Sequence, residues 1–174
     1  MKKLVSVILA SVLMLCFVTS CGDNNDSAKG PDGTLAEIVE KIYESAKPEF
    51  GLMTMDVNIS DPEALKAYTG LDNADKVSEA VASEPLMGSQ AYSLVLVRVK
   101  DRADAKEVAE AMKNGIDPRK WICVEADQLR VSAGGDVVML IMMSSNFNTE
   151  ALSVDKITDA FKALCGGTLT VDLK

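Results

Sequence analysis

Four groups of side chains in this sequence are of types that can do chemistry: a serine–lysine pair, a set of methionines, a basic–aromatic cluster and the carboxylates. Ser153-Val154-Asp155-Lys156 has S-x-x-K spacing, in which a lysine one helical turn away can activate a serine nucleophile. The companion S-D-N and K-T-G elements are missing. Ser153 also stands where a helix needs an N-cap, so a capping role is the expectation. Met53-Thr54-Met55 and Met142-Met143 bring thioethers suited to Cu(I). They occupy apolar positions of predicted strands, which makes them core fillers, and no metal site is assigned. Arg119-Lys120-Trp121 sets a basic pair beside the only tryptophan. Cation–π and stacking contacts make it a candidate surface contact for an anionic glycan or a protein. The plainer placement puts Trp121 in the core and the basic pair on a turn. Carboxylates acting in pairs could hydrolyse cell-wall glycans, but such pairs assemble from distant segments that spacing cannot show. No catalytic residue and no cofactor are assigned.

Absences narrow the chemistry further. The 174 residues include no histidine, which removes His-based triads, imidazole metal ligands and a general base poised near neutral pH. The formal net charge is −8. Phosphate backbones need Lys/Arg neutralisation, so nucleic acid is not an expected partner. Of four cysteines, only Cys123 and Cys165 fall well inside the chain, and they form no CxxC pair. They read as two buried free thiols. The alternative is a disulfide closing a loop of about 40 residues.

The N-terminus carries the sharpest signal. Lys2 and Lys3 precede an apolar run from Leu4 to Val18, followed by Thr19-Ser20-Cys21. This is the layout of a secretory signal peptide, and its apolar stretch is shorter than the ~20 residues of a bilayer span. The cysteine at the small-residue boundary resembles the lipobox of bacterial lipoproteins. On that reading residues 1–20 are a lipoprotein signal peptide and Cys21 is the lipidation site. Residues 21–33, rich in Gly, Asp, Asn, Ser and Pro, form a solvated tether of roughly 20 Å by random-coil scaling. The expected location is the extracytoplasmic face of a membrane, held by the N-terminal lipid.

Residues 34–174 are the right size for one domain. Thr34-Leu35-Ala36-Glu37 is a capping box that opens a helix ending before Pro48. Met53 to Ile59 alternates as a half-buried strand. Asp61-Pro62 starts a helix that Gly70 stops, and Asn73 to Ala82 reads as another short helix closed by Pro85. Ala91 to Val99 and Val137 to Met143 are apolar on both faces, as strands covered on both sides are. A helix from Asp104 ends near Gly115. The 129–133 strand meets a Gly134-Gly135 hairpin turn, a helix runs from Val154 to Leu164, and Leu169 to Leu173 suggests a last strand. The expectation is α+β: a mainly antiparallel sheet of about five strands with packed helices. The two-sided strands require an apolar cover on each sheet face, either the first helix folding over or a second molecule.

Several of these elements recur together in a known group. The lipobox start, the acidic spacer, Tyr68-Thr69-Gly70-Leu71, the run Ala91 to Asp101 and Gly135-Asp136-Val137-Val138-Met139-Leu140-Ile141 resemble the small bacterial lipoproteins of the domain of unknown function 4358 family. The resemblance spans roughly residues 34–165 and rests on apolar patterns and turn glycines. The doubled Gly134-Gly135 departs from the single turn glycine of that pattern. The resemblance implies the outer face of a cytoplasmic membrane, argues against a disulfide, and carries no known activity. Together these features predict a membrane-anchored, non-enzymatic domain that binds a protein or small ligand or supports envelope assembly. The alternative is a cell-wall-directed hydrolase using paired carboxylates.

Overall fold

The computed structural model describes residues 29–46 and 48–174. The signal segment, Cys21 and the first part of the tether lie outside the described residues. Six strands form one antiparallel sheet, with four α-helices packed on its two faces. In chain order these are α1 (Leu35–Ser45), β1 (Leu52–Asp56), α2 (Pro62–Thr69), β2 (Val77–Pro85), β3 (Tyr92–Val99), α3 (Ala105–Gly115), β4 (Gln128–Gly134), β5 (Val137–Met143), α4 (Val154–Leu164) and β6 (Val171–Leu173). The strand order is β1-β2-β3-β5-β4-β6. The α+β expectation holds, with one strand more than anticipated.

Local chemistry accounts for most element boundaries. Thr34 and Glu37 form the reciprocal capping box of α1, with amide contacts of 2.9 and 3.3 Å. The Thr34 amide holds the Glu37 carboxyl below its usual range. Asp61 caps α2 through the amides of Glu63 and Ala64, and Pro62 occupies the first turn. Gly70 ends that helix at φ +79°, a conformation glycine adopts without a Cβ penalty. Ser153 caps α4 by accepting from the Lys156 amide at 3.1 Å. Asp104 does not cap α3 with its side chain. A short 3-10 turn, Arg102–Asp104, precedes the helix, and the Asp104 carboxylate pairs with Lys76 at 2.8 Å.

The predicted helix over 73–82 is instead the start of β2. Its pairing with β3 slips between Val77 and Glu79. That bulge spaces the buried residues as Val77, Ala80 and Val81, which copies a helical i, i+3, i+4 pattern. Asn73 closes a turn by accepting from the Asp75 amide at 3.1 Å.

β5 is buried along its whole length, and β3 everywhere except Arg98. Their two faces belong to two separate cores. One contains Val95, Val97, Val138, Leu140 and Met142 beneath α2 and α3. The other contains Leu94, Leu96, Met139, Ile141 and Phe161 beneath α1 and α4. The first helix therefore does fold over the second face, together with α4. Hydroxyl groups tie it there: Tyr92 donates to Tyr43 at 3.1 Å, and Tyr43 donates to Ser83 at 2.9 Å. Burial pushes the Tyr43 phenol up to about 12.

The two glycines between β4 and β5 do different jobs. Gly135 takes the left-handed turn position at φ +60°, while strand pairing continues through Gly134 opposite Val137. A Cβ on Gly134 would collide with the Cys165 sulfur. The doubled glycine thus leaves the hairpin register intact and lets α4 close onto it.

Candidate functional site

The sheet has two unlike ends. At one, the β4–β5 turn lies beside the close of β3, Arg98 pairing with Val137. At the other, the β2–β3 turn meets the start of β4 and the close of β5, with Tyr92 and Gln128 both opposite Met143. The second end also receives the start of β1, where Leu52 faces Pro85, and the 116–127 loop that leaves α3.

This second end collects apolar side chains that remain in water. Among the described residues, the exposed large hydrophobics are Met53, Leu86, Met87 and Ile122, at 47, 69, 64 and 80%. Single exposed apolar residues are ordinary, whereas contiguous exposed apolar patches mark interaction surfaces. Leu86 and Met87 ride on the β2–β3 turn, and Met53 lies opposite Glu84. Ile122 projects from the loop whose Lys120 reaches back to the same glutamate.

The loop is held by a network that sequence had cast as a surface contact. Arg119 is exposed and sits 3.7 Å from Asp117. Lys120 turns inward instead: its side chain is 14% exposed and its ion-pair partner Glu84 is 16% exposed. Its ammonium also lies over the rings of Tyr68 and Trp121, at 5.0 and 5.5 Å from their centroids. Ser93 donates to the same Glu84 oxygen at 2.6 Å. Trp121 is half-buried against the α2–α3 core. The cluster therefore clamps the loop to the sheet through Lys120, while Arg119 and the half-buried Trp121 line an open hollow on its outer side. Ser93 is fully buried, so the nearby lysine makes no accessible nucleophile of it.

Cys123 and Cys165 are both free. Cys123 is exposed at φ +65° and lines a hollow of about 330 Å³ with Asp127, Ser144 and Asn146. Cys165 is buried against Gly134, at the far end of β4. Seven residues of strand span about 20 Å, whereas a disulfide needs Cα atoms within ~7 Å. The disulfide reading is thereby corrected, and so is the burial expected of Cys123. Burial pushes the Cys165 thiol up to about 12. At pH 8, a thiol reagent should label Cys123 within minutes and Cys165 only after denaturant is added. Two equally fast thiols in the native domain, counted by absorbance, would contradict this placement.

Several of the less exposed carboxylates are engaged by cations. Arg98 binds Glu79 at 2.6 Å and Asp136 at 2.8 Å, and Arg130 holds both Asp155 and Asp172. The Arg130 guanidinium and the Ser132 hydroxyl hold the Asp172 carboxyl below its usual range. Asp127 is held low as well, by the hydroxyl and amide of Ser145. A second open hollow, about 320 Å³, lies between the 71–77 segment and α3. The Lys76 ammonium there is shared by Asp104 and Glu107. Among the described residues, no group of three or more His, Cys, Asp or Glu side chains is placed to hold a metal ion. The paired methionines are split between sheet faces and water: Met142 and Met143 point into opposite cores, while Met53 is exposed.

The tether ends earlier than residue 33. Gly30 and Pro31 are buried, and the Arg98 guanidinium donates to the Gly33 carbonyl at 2.8 Å. The apolar end was not anticipated from sequence, although Leu86-Met87 between Pro85 and Gly88 was a visible signal: large apolar residues in a turn.

Comparison of the chain with protein-family models, curated proteins and solved structures gives no match, so the reading of this surface rests on its geometry.

Proposed function

We propose that the chain is a lipid-anchored, extracytoplasmic binding protein, and that it engages a protein partner through the end of the sheet carrying Leu86, Met87 and Ile122. The observation that carries this reading is the gathering of exposed apolar side chains at that one end. Small-molecule sites are concave and bury most of their ligand. Here the apolar groups project from turns, which suits insertion into grooves on a protein. A fixed loop supports the fit. The Lys120–Glu84 clamp holds Ile122 in place before binding, which reduces the ordering cost of association.

Site-specific photocrosslinking on intact cells tests the surface. A photoreactive residue at Met87 or at Ile122 should trap a single common partner. The same residue at Arg102, at the other end, should not. Leu86→Ser should weaken capture at Met87 at least fivefold. Equal adducts at all three positions, or none at Met87 and Ile122, would refute the binding surface.

A further inference from the structure

The place where the chain joins the domain fixes which end looks toward the membrane. Residues 30–33 lie as a strap across the β4–β5 turn. A Cβ on Gly135 would collide with the Gly30 backbone, and a Cβ on Gly30 would sit 2.7 Å from the Asp136 carboxylate. Two bare glycines therefore pack main chain on main chain. Arg98 ties the strap from the sheet, donating to Gly33 O and to Asp136, each at 2.8 Å. Lys41 donates to the Asp32 carbonyl at 3.1 Å from α1. Pro31 is buried within the strap. These contacts come from three separate elements, so the chain is part of the domain from Gly30 onward.

We infer that the domain stands on its bilayer in one polarity, with the β4–β5 end toward the headgroups and the apolar end held away. This rests on the lipid anchor at Cys21 proposed above. Only nine links separate Cys21 from Gly30, and at ~3.5 Å each they reach about 30 Å at full stretch. β3 alone, with eight residues, runs about 25 Å from one end of the sheet to the other. Laying Leu86, Met87 and Ile122 on the bilayer would need those links drawn almost taut along the flank of the domain. Shorter paths keep the β4–β5 turn close to the lipid and do not reach the inverted pose.

The consequence is functional. Exposed apolar side chains beside a membrane gain by entering it, at ~25 cal/mol per Å² of apolar surface removed from water. A strap docked at the opposite end keeps them in water and available to a partner. A tether joined only at residue 34 would add four links and let the domain turn over.

Energy transfer from the domain to labelled lipid headgroups tests the polarity. The lipidated protein, purified from membranes, is reconstituted into phosphatidylcholine–phosphatidylglycerol vesicles. It carries one fluorophore, either at Cys123 or at Ala103→Cys in a Cys123→Ser background. Ala103 is exposed and lies near Gly135. Transfer should be at least threefold more efficient from position 103 than from 123. Inserting ten Gly/Ser residues after Ser27, which leaves the strap untouched, should bring the two positions within a factor of 1.5. Gly30→Val, which lifts the strap, should do the same. Equal transfer from both positions in the unlengthened protein, or stronger transfer from 123, would overturn the polarity while the anchor stands. Protein that fails to sediment with the vesicles would overturn the anchor and the polarity with it.

Discussion

Phe161→Ala is expected to lower the unfolding free energy by about 3–5 kcal/mol, the range for emptying a well-packed aromatic site. Phe161 is fully buried in α4, in the core shared by α1, α4 and the Leu94–Leu96 and Met139–Ile141 rows. That core has little means to collapse into the gap, because the strands beneath it are fixed from their other face by a second, independent core. A domain of this size is stable by only ~5–15 kcal/mol, so the loss would be a large fraction of the total. Urea denaturation followed by circular dichroism measures it. Phe161→Leu, which leaves part of the volume filled, should cost less than half as much. A loss below 1 kcal/mol for the alanine variant would mean that α4 is not seated as described. The thiol of Cys165, one turn further on, gives a second readout. Loosening of α4 should raise its native-state labelling rate by at least tenfold, with Cys123 unchanged.

How much of this was legible in sequence depends on the range of the interactions. The capping box at Thr34 and Glu37, the Asp61-Pro62 start and the Ser153 cap are satisfied within four residues, so their patterns survive in one dimension. The two-sided apolar runs of β3 and β5 were equally plain, because burial on both faces leaves no alternation. β2 failed for a physical reason. A single bulged residue broke its period of two, and the remaining apolar spacing matched a helix better than a strand. Lys120 failed differently. A lysine in a basic triplet is ordinarily solvated, and only the fold brings Glu84, Tyr68 and Ser93 around it from three distant segments.

The strap shows a subtler limit. Gly30-Pro31-Asp32-Gly33 has the composition of a spacer, and its glycines suggest freedom. In the folded protein the missing side chain of Gly30 instead permits contact with Gly135. The same residue type loosens a chain in solution and allows the closest packing of two backbones, and composition alone does not distinguish them. The apolar end was only half legible: Leu86-Met87 stands out as an apolar pair in a turn, but its company with Ile122, from a second segment, is a property of the assembled surface.

Cys21→Ala is expected to have the largest effect on where the protein works. On the proposed anchor, a diacylglyceryl group on the Cys21 sulfur would carry two acyl chains and remove many methylenes from water, at ~0.8 kcal/mol each, whereas a single chain holds only marginally. With the thiol present, nearly all of the protein should sediment with membranes and enter the detergent phase on partitioning. Without it, the acyl chains have no attachment point. The variant should then appear either as a heavier precursor, still held by its apolar run, or as a shortened protein free in the medium. Immunoblotting of the membrane and soluble fractions, with the mass of each band, distinguishes these from the wild type. Unchanged processing together with unchanged detergent partitioning would rule out the lipid. The folded domain should be indifferent to the change, since among the described residues the chain packs on it from Gly30, nine links beyond Cys21. The urea midpoint of a released, shortened Cys21→Ala protein should therefore match that of the detergent-solubilised wild type, whereas a shift would mean that the lipidated segment also packs on the domain. With an unchanged midpoint, loss of partner crosslinking at Met87 in the released protein would be due to displacement from the membrane and not to unfolding.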